Sequence, residues 1–227
     1  MKIAVVANGE WDKEWGKQEL SAYDLIIAAD GGANHVFASE YVPQVLVGDL
    51  DSILPEYKEI CKHKGTTVLT YPQEKDETDL ELALDYAAKL LKEKAEPAKR
   101  EPEAKCEDIF LLGATGGRID HFLGNLFLLQ KFWQEGLRIR MRDPDQELWL
   151  LEGQEKLQGR PGQKLSLLPL TAKAVVRTEG LQYPLRGETL YQALTRGISN
   201  VFLRETAFVE VSEGLVLVIV LSPENTR

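Results

Sequence analysis

Asp49 and Asp51 stand two residues apart in the segment Gly48-Asp49-Leu50-Asp51-Ser52. In extended backbone, residues two apart project to the same side, so this spacing predicts two carboxylates able to reach one ion. A small hard cation such as Mg2+ takes a few carboxylates and completes its shell with phosphate oxygens and water. A plainer use of the same residues is a turn in which Asp51 or Ser52 caps a short helix starting near Pro55. Capping employs one aspartate and leaves the other idle, so the metal reading accounts for more. Asp79 is a candidate third ligand, although a carboxylate at a helix start is favoured by the macrodipole in any case.

Two glycine pairs are candidate anion sites. Gly31-Gly32 follows Asp30 and precedes Asn34; Gly116-Gly117 follows Gly113 and Thr115 and precedes Arg118 and Asp120. Backbone N–H groups at such turns can cradle phosphate; a tight turn needing positive φ is the competing explanation. Neither pair sits in a G-x-x-x-x-G-K-[ST] loop or a G-x-G-x-x-G fingerprint. Arg118 favours the second turn, because a guanidinium pairs with phosphate through two parallel bonds. Asp120 could orient Arg118 or contact a metal-bound water, and His121 reads as an ordinary helix residue.

These residues gain meaning from the elements that must carry them. Residues 3–7, 25–29, 45–47, 67–71 and 109–112 are short, continuous apolar runs, the pattern of strands buried on both faces of a parallel sheet. Helical periodicity runs between them, most clearly over 78–94, where Thr78 and Glu81 fit a capping box. A second helix over 118–134 is apolar almost all round and is expected to be buried. Repeated strand–helix–strand order implies an open α/β sheet, whose ligands collect at the carboxyl ends of the strands. Each acidic or glycine-rich segment above follows one of those runs.

From about Arg142 the texture changes to short strand-like runs at 147–151, 164–168, 174–178, 201–203, 207–211 and 215–221, separated by Gly, Pro and Asn turns. The fold expected is therefore α/β: an open, mainly parallel N-terminal sheet with flanking helices over 1–142, followed by an all-β sandwich domain over 143–227. The stretch 94–108, charged and carrying two prolines, is expected to be a surface loop.

A net charge of −9 in 227 residues argues against nucleic-acid or anionic-membrane partners. The two cysteines, Cys61 and Cys106, suggest neither a disulfide framework nor a thiolate metal site. The first residues hold too short an apolar run for a signal peptide, and no run approaches the roughly 20 residues of a membrane span. A cytoplasmic protein is expected.

Taken together, DGGAN at 30–34, GDLDS at 48–52, KDETDLELAL at 75–84, GGRIDH at 116–121 and GISN at 197–200 resemble the bacterial type of thiamine pyrophosphokinase (thiamine diphosphokinase). The similarity runs in order along nearly the whole chain. It implies an enzyme that moves the pyrophosphoryl group of Mg·ATP to the hydroxyl of thiamine, giving thiamine diphosphate and AMP. It implies metal ligation by Asp49, Asp51 and Asp79, with Asp30 near substrate and metal. Arg118 and Asp120 would face the phosphates, as would Lys75, the glycine turns with Asn34, and the backbone of Gly113 and Thr115. Ser199 and Asn200 would lie near thiamine, in a homodimer whose active sites are shared. The family's vertebrate members stack an aromatic residue on the substrate, and the last strand here carries none. For the proton of the attacking hydroxyl, Asp30 and Asp51 are both candidate acceptors. Two other readings differ in kind: a pyrophosphokinase for another alcohol such as a hydroxymethylpterin, and a non-catalytic nucleotide or thiamine sensor.

Overall fold

A computed structural model describes residues 1–94 and 109–223. The loop expected at 94–108 therefore lies, from 95 onward, outside the described residues. The chain divides into two compact units, Met1–Asp143 and Pro144–Arg227. Among the described residues, no helix is long and apolar enough to cross a membrane.

The first unit is a six-stranded sheet of β1 (Ile3–Val6), β2 (Leu25–Ala29), β3 (Val45–Gly48), β4 (Thr67–Thr70), β5 (Ile109–Leu112) and β6 (Ile139–Arg142). The order is β6-β5-β1-β2-β3-β4, and every pair is parallel. β1, β3 and β5 are buried at every position, as their unbroken apolar runs require. β4 departs from expectation. It has a neighbour on one side only, and three of its four residues are exposed, because it forms the sheet edge. β6 was not anticipated: Ile-Arg-Met-Arg alternates buried and half-buried positions, a pattern too short to stand out.

Among the described residues, five α-helices accompany the sheet: α1 (Lys13–Glu19), α2 (Gly32–Ala38), α3 (Pro55–Lys64), α4 (Asp79–Lys94) and α5 (Ile119–Gln134). α4 packs on β1, β2 and β3, and its Ala83, Leu84 and Ala87 are completely buried. The Glu81 N–H donates to Thr78 Oγ1 at 3.2 Å, the first half of the capping box. α3 begins with Pro55 at its first position, and the preceding Leu54 offers no side-chain cap. Neither Asp51 nor Ser52 caps it, which removes the capping explanation for that acidic pair. α5 is not the buried helix expected. Ile119, Leu123 and Phe127, spaced four apart on one face, are 75%, 46% and 68% exposed, while Leu129 and Phe132 are buried.

The second unit is antiparallel and strand-rich, with β7 (Gln146–Gln158), β8 (Lys164–Pro169), β9 (Lys173–Glu179), β10 (Arg186–Tyr191), β11 (Asn200–Val201) and β12 (Thr206–Leu221). The runs 207–211 and 215–221, read as two strands, are one 16-residue strand with a register shift between Val211 and Val216. Gly214, at φ 86°, supplies the irregularity. The first half of β12 pairs with β9 and the second with β8, while β7 runs along both. Strand alternation then directs Leu165, Leu167, Val176, Val209 and Val218 into one core.

Candidate active site

In the first unit, the chain changes direction across the sheet between the neighbouring strands β1 and β5. An open parallel sheet binds ligands at such a reversal, beyond the strands' carboxyl ends. A cleft of about 690 Å3 opens there, walled by 7–10 after β1, 113–118 after β5, Asp30 after β2, Thr78–Asp79 at the start of α4, and the first turns of α5.

At one end, Asp30, Asp49 and Asp79 converge, with a carboxylate oxygen from each within 4.8 Å of the others. They come from three separate segments, after β2, after β3 and at the start of α4. Gly48 makes the approach possible: at φ 144°, a Cβ there would lie 3.0 Å from Asp79 Cγ and 3.1 Å from Asp30 Cβ. Asp30 itself adopts φ 43° and Leu50 φ 65°. Such left-handed conformations in non-glycine residues cost about 1–3 kcal/mol each and cluster at functional sites.

Asp51 stands outside this group, although the spacing alone would set it beside Asp49. The reason is local. β3 ends at Gly48, and Leu50 turns left-handed as the Asp51 N–H folds back to donate to Asp49 Oδ1 at 3.2 Å. Lys58 Nζ holds the turn through the Leu50 carbonyl, at 2.6 Å. The rule that places residues two apart on one side requires extended backbone, and here there is none. The Asp51 carboxylate accepts instead from Ser52 Oγ at 2.8 Å and Gln73 Nε2 at 3.0 Å.

Lys75 joins the acidic end rather than facing the cleft. Its Nζ lies 3.0 Å from Asp79 Oδ1 and donates to the Pro72 carbonyl at 2.9 Å. The Asp79 contact is an ion pair without hydrogen-bond alignment, so the buried Oδ1 has no hydrogen-bond donor. Burial pushes the Asp79 carboxyl pKa up, the charges of Asp49 and Asp30 add to this, and Lys75 offsets only part. Burial would lower the Lys75 pKa, but Asp79, Asp49 and Asp30 outweigh it and hold the ammonium above its usual range. Three convergent carboxylates, one with a buried undonated oxygen, in a space kept open by glycine, fit a hard divalent cation.

The other end of the cleft is a turn. Gly113, Gly116 and Gly117 have φ of 63°, 75° and 65°, conformations only glycine adopts without strain. Asn125 of α5 steadies the turn by donating to the Ala114 carbonyl at 2.9 Å. Thr115 is buried in the wall. Arg118 and Asp120 are exposed and paired, Nε to Oδ1 at 3.1 Å and Nη2 to Oδ2 at 2.5 Å. Arg118 lowers the Asp120 carboxyl pKa to about 2.

The remaining expected contacts are placed differently. Gly31 and Gly32 are buried, start α2 without positive φ, and are not on the cleft wall. Gly32 lets α2 press on β1, since a Cβ there would strike the Val6 carbonyl; a Cβ on Gly31 would meet the Asn8 side-chain amide. Asn34 is engaged at both ends of its amide, donating to the Ser52 carbonyl at 2.9 Å and accepting from the Leu54 N–H at 3.0 Å. It braces the loop that carries Asp49 and Asp51.

In the second unit, Ser199 is exposed at φ 58°. Asn200 is buried and clamps the Tyr183 backbone, accepting from its N–H at 3.0 Å and donating to its carbonyl at 2.7 Å. Tyr183 is thereby held 61% exposed beside Ser199 and Asn200.

Sequence reasoning missed Asn8, Gly9 and Glu10, which wall the cleft. The Gly117 N–H donates to Glu10 Oε1 at 2.9 Å. The strand-end rule, applied to the first apolar run as to the others, points to them.

The match to known proteins agrees with this geometry. The family model described as "Thiamin pyrophosphokinase, catalytic domain" matches residues 16–141, and "Thiamin pyrophosphokinase, vitamin B1 binding domain" matches 154–216. Thiamine pyrophosphokinase of Bacillus subtilis (strain 168) is 28% identical over 200 residues, 87% of each chain. Thiamine pyrophosphokinase 3 of Oryza sativa subsp. japonica is 30% identical over 217 residues, 86% of this chain and 78% of that one. The crystal structure of the Bacillus subtilis protein superposes with a TM-score of 0.80 at 25% identity, covering 98% of this chain and 99% of that chain.

Proposed function

Because the chain belongs to the thiamin pyrophosphokinase family, we propose that the strand-end cleft of its first unit is the catalytic centre of a thiamine diphosphokinase. The enzyme transfers the pyrophosphoryl group of ATP to the hydroxyl of thiamine, giving thiamine diphosphate and AMP. A pterin pyrophosphokinase and a non-catalytic sensor find no support among these relatives. The observation that carries the site reading is one cleft with three convergent carboxylates at one end and a Gly-Gly-Arg turn at the other.

Asp30, Asp49 and Asp79 are the residues that would hold the divalent ion, which we take to be Mg2+. When bound, the ion neutralises polyphosphate charge and fixes the polyphosphate's orientation. Pyrophosphoryl transfer needs little covalent chemistry from the protein; it needs an alcohol in line with the β-phosphorus, and donors for the developing charge. Arg118 and the backbone N–H groups of the 113–117 turn supply those donors. Asp51, free of the carboxylate group, is better suited than Asp30 to take the hydroxyl proton, because a metal-bound carboxylate is a poor base. The acidic end also attracts the thiazolium cation of thiamine.

Residues 1–142 form the ATP- and metal-binding domain in this reading, and 143–227 the thiamine-binding and dimerisation domain. Ser199 would face thiamine, with Asn200 acting through the Tyr183 it holds. The enzyme would work in the cytoplasm as a homodimer with shared sites. The exposed apolar face of Ile119, Leu123 and Phe127 supports a partner chain.

Incubation with Mg·ATP and thiamine, followed by mass analysis, should yield thiamine diphosphate and AMP in equal amounts. ADP as co-product would sink this reading.

A further inference from the structure

Two of the donors at the anion end of the cleft already hold a carboxylate of the chain itself. Arg118 holds Asp120, and the Gly117 N–H holds Glu10. Glu10 lies against Gly116 so closely that a Cβ on that glycine would collide with its carboxylate. The turn thus forms a seat for an anionic oxygen, and Glu10 occupies it.

We infer that Glu10 is a displaceable occupant of the phosphate seat and sets the affinity of the enzyme for ATP. This rests on the reading of the cleft as an ATP site. A permanent brace is the competing role, and the backbone argues against it. The loop after β1 is already joined to the end of β5 and the loop that follows it by three bonds: Ala7 N–H to the Leu112 carbonyl at 2.8 Å, Gly9 N–H to the Gly113 carbonyl at 2.7 Å, and Glu10 N–H to the Thr115 carbonyl at 3.3 Å. The side chain adds one further bond from an exposed position, so the loops keep their places when it leaves. A phosphate oxygen carries comparable charge and makes the same bond, and it arrives with Arg118 and the acidic end engaging the rest of the polyphosphate. Glu10 competes by charge and by proximity; once displaced, it stands beside the polyphosphate as a like charge.

The test is titration of wild type, Glu10→Gln and Glu10→Ala with Mg·ATP and with inorganic tripolyphosphate plus Mg2+, by calorimetry and without thiamine. Removal of one exposed charged competitor should tighten binding by about three- to tenfold in Glu10→Ala. Glu10→Gln should fall between, since its amide oxygen still accepts from Gly117 but carries no charge. Thermal melting of each variant checks the fold, and Glu10→Gln carries the test if the alanine variant melts early. Unchanged affinity in both variants overturns the inference, and so does weaker binding in Glu10→Ala, the result expected of a brace. Absence of Mg·ATP binding in all three proteins would overturn the site reading itself and this inference with it.

Discussion

The two ends of the cleft are built in opposite ways. The acidic end draws Asp30, Asp49 and Asp79 from three segments, Asp30 buried and the other two half-buried, with Gly48 clearing the space and Asp30 and Leu50 under backbone strain. The anion end is one contiguous segment, 113–118, buried as far as Thr115 and exposed from Gly116, with its three glycines at positive φ. The first draws on three segments across the sheet; the second is one segment braced by the loop after β1. Mutual repulsion and burial at the acidic end oppose folding in the absence of a cation, whereas Arg118 and Asp120 satisfy each other in water.

That contrast predicts different consequences for stability and activity. The largest effect is expected for Asp79→Asn, which should lower turnover by about 10³-fold or more by weakening the ion's grip. Its melting temperature should hold or rise as one of three crowded carboxylates loses its charge. AMP release measured beside thermal melting tests both halves; a stable, fully active variant would remove the acidic end from the chemistry. Gly48→Ala should lose activity and stability together, by about 2–4 kcal/mol in a denaturant titration, because the new Cβ meets Asp79 and Asp30 at a strained φ.

Asp51→Asn sharpens the division within the acidic segment. A proton acceptor outside the carboxylate group should cost about 10²-fold in kcat while Mg·ATP still binds. Loss of Mg·ATP binding in calorimetry would instead return Asp51 to the ion. At the anion end, Arg118→Lys should reduce kcat/KM by about 10- to 100-fold through loss of the two-pronged contact. Its melting temperature should stay within about 1 °C of wild type, since exposed ion pairs add little.

The smallest effect concerns the loop beneath the anion end. His35 bonds the Gly9 carbonyl through Nε2 at 2.9 Å and stacks on Trp11, with ring centroids 5.3 Å apart. Burial holds its pKa below the ordinary 6.5, with the Gly9 bond working against the shift. The unfolded chain therefore binds more protons than the folded one just below pH 6.5. The His35 contribution is complete above that value and is lost as pH falls toward the lowered folded pKa. Melting temperatures at pH 7.5 and 5.5 should drop less for His35→Gln than for wild type. Parallel curves would show that His35 does not link pH to this loop.

Much of the site was legible because strand-end logic needs only the positions of apolar runs. Asp30, Asp49, Asp79 and the Gly113–Arg118 turn all follow such runs, and the structure brings them to one cleft. What failed did so for identifiable reasons. Asp51 lies outside the convergent group because a single left-handed residue, Leu50, breaks the extended backbone that the spacing assumes. Gly31-Gly32 reads as a cradle, but the close approach of α2 to β1 gives Gly32 a packing reason of its own, whatever binds nearby. The α5 helix was read as buried because apolarity was taken for burial, whereas its Ile119 face is open.

The sequence by itself determined the alternation of strands and helices in most of the first unit, the change of texture near Arg142 and the acidic and glycine-rich residues at the strand ends, because periodicity and strand-end position are properties of neighbouring residues. Tertiary structure alone decided that Asp30 rather than Asp51 completes the carboxylate group, that Lys75 serves as its counter-charge, and that Glu10 rests in the turn of Gly116 and Gly117. Apart from the Lys75–Asp79 pair, which is four residues apart, those choices are contacts between segments far apart in the chain. The packing that makes them follows from how the sheet stacks its strands, which no local spacing encodes.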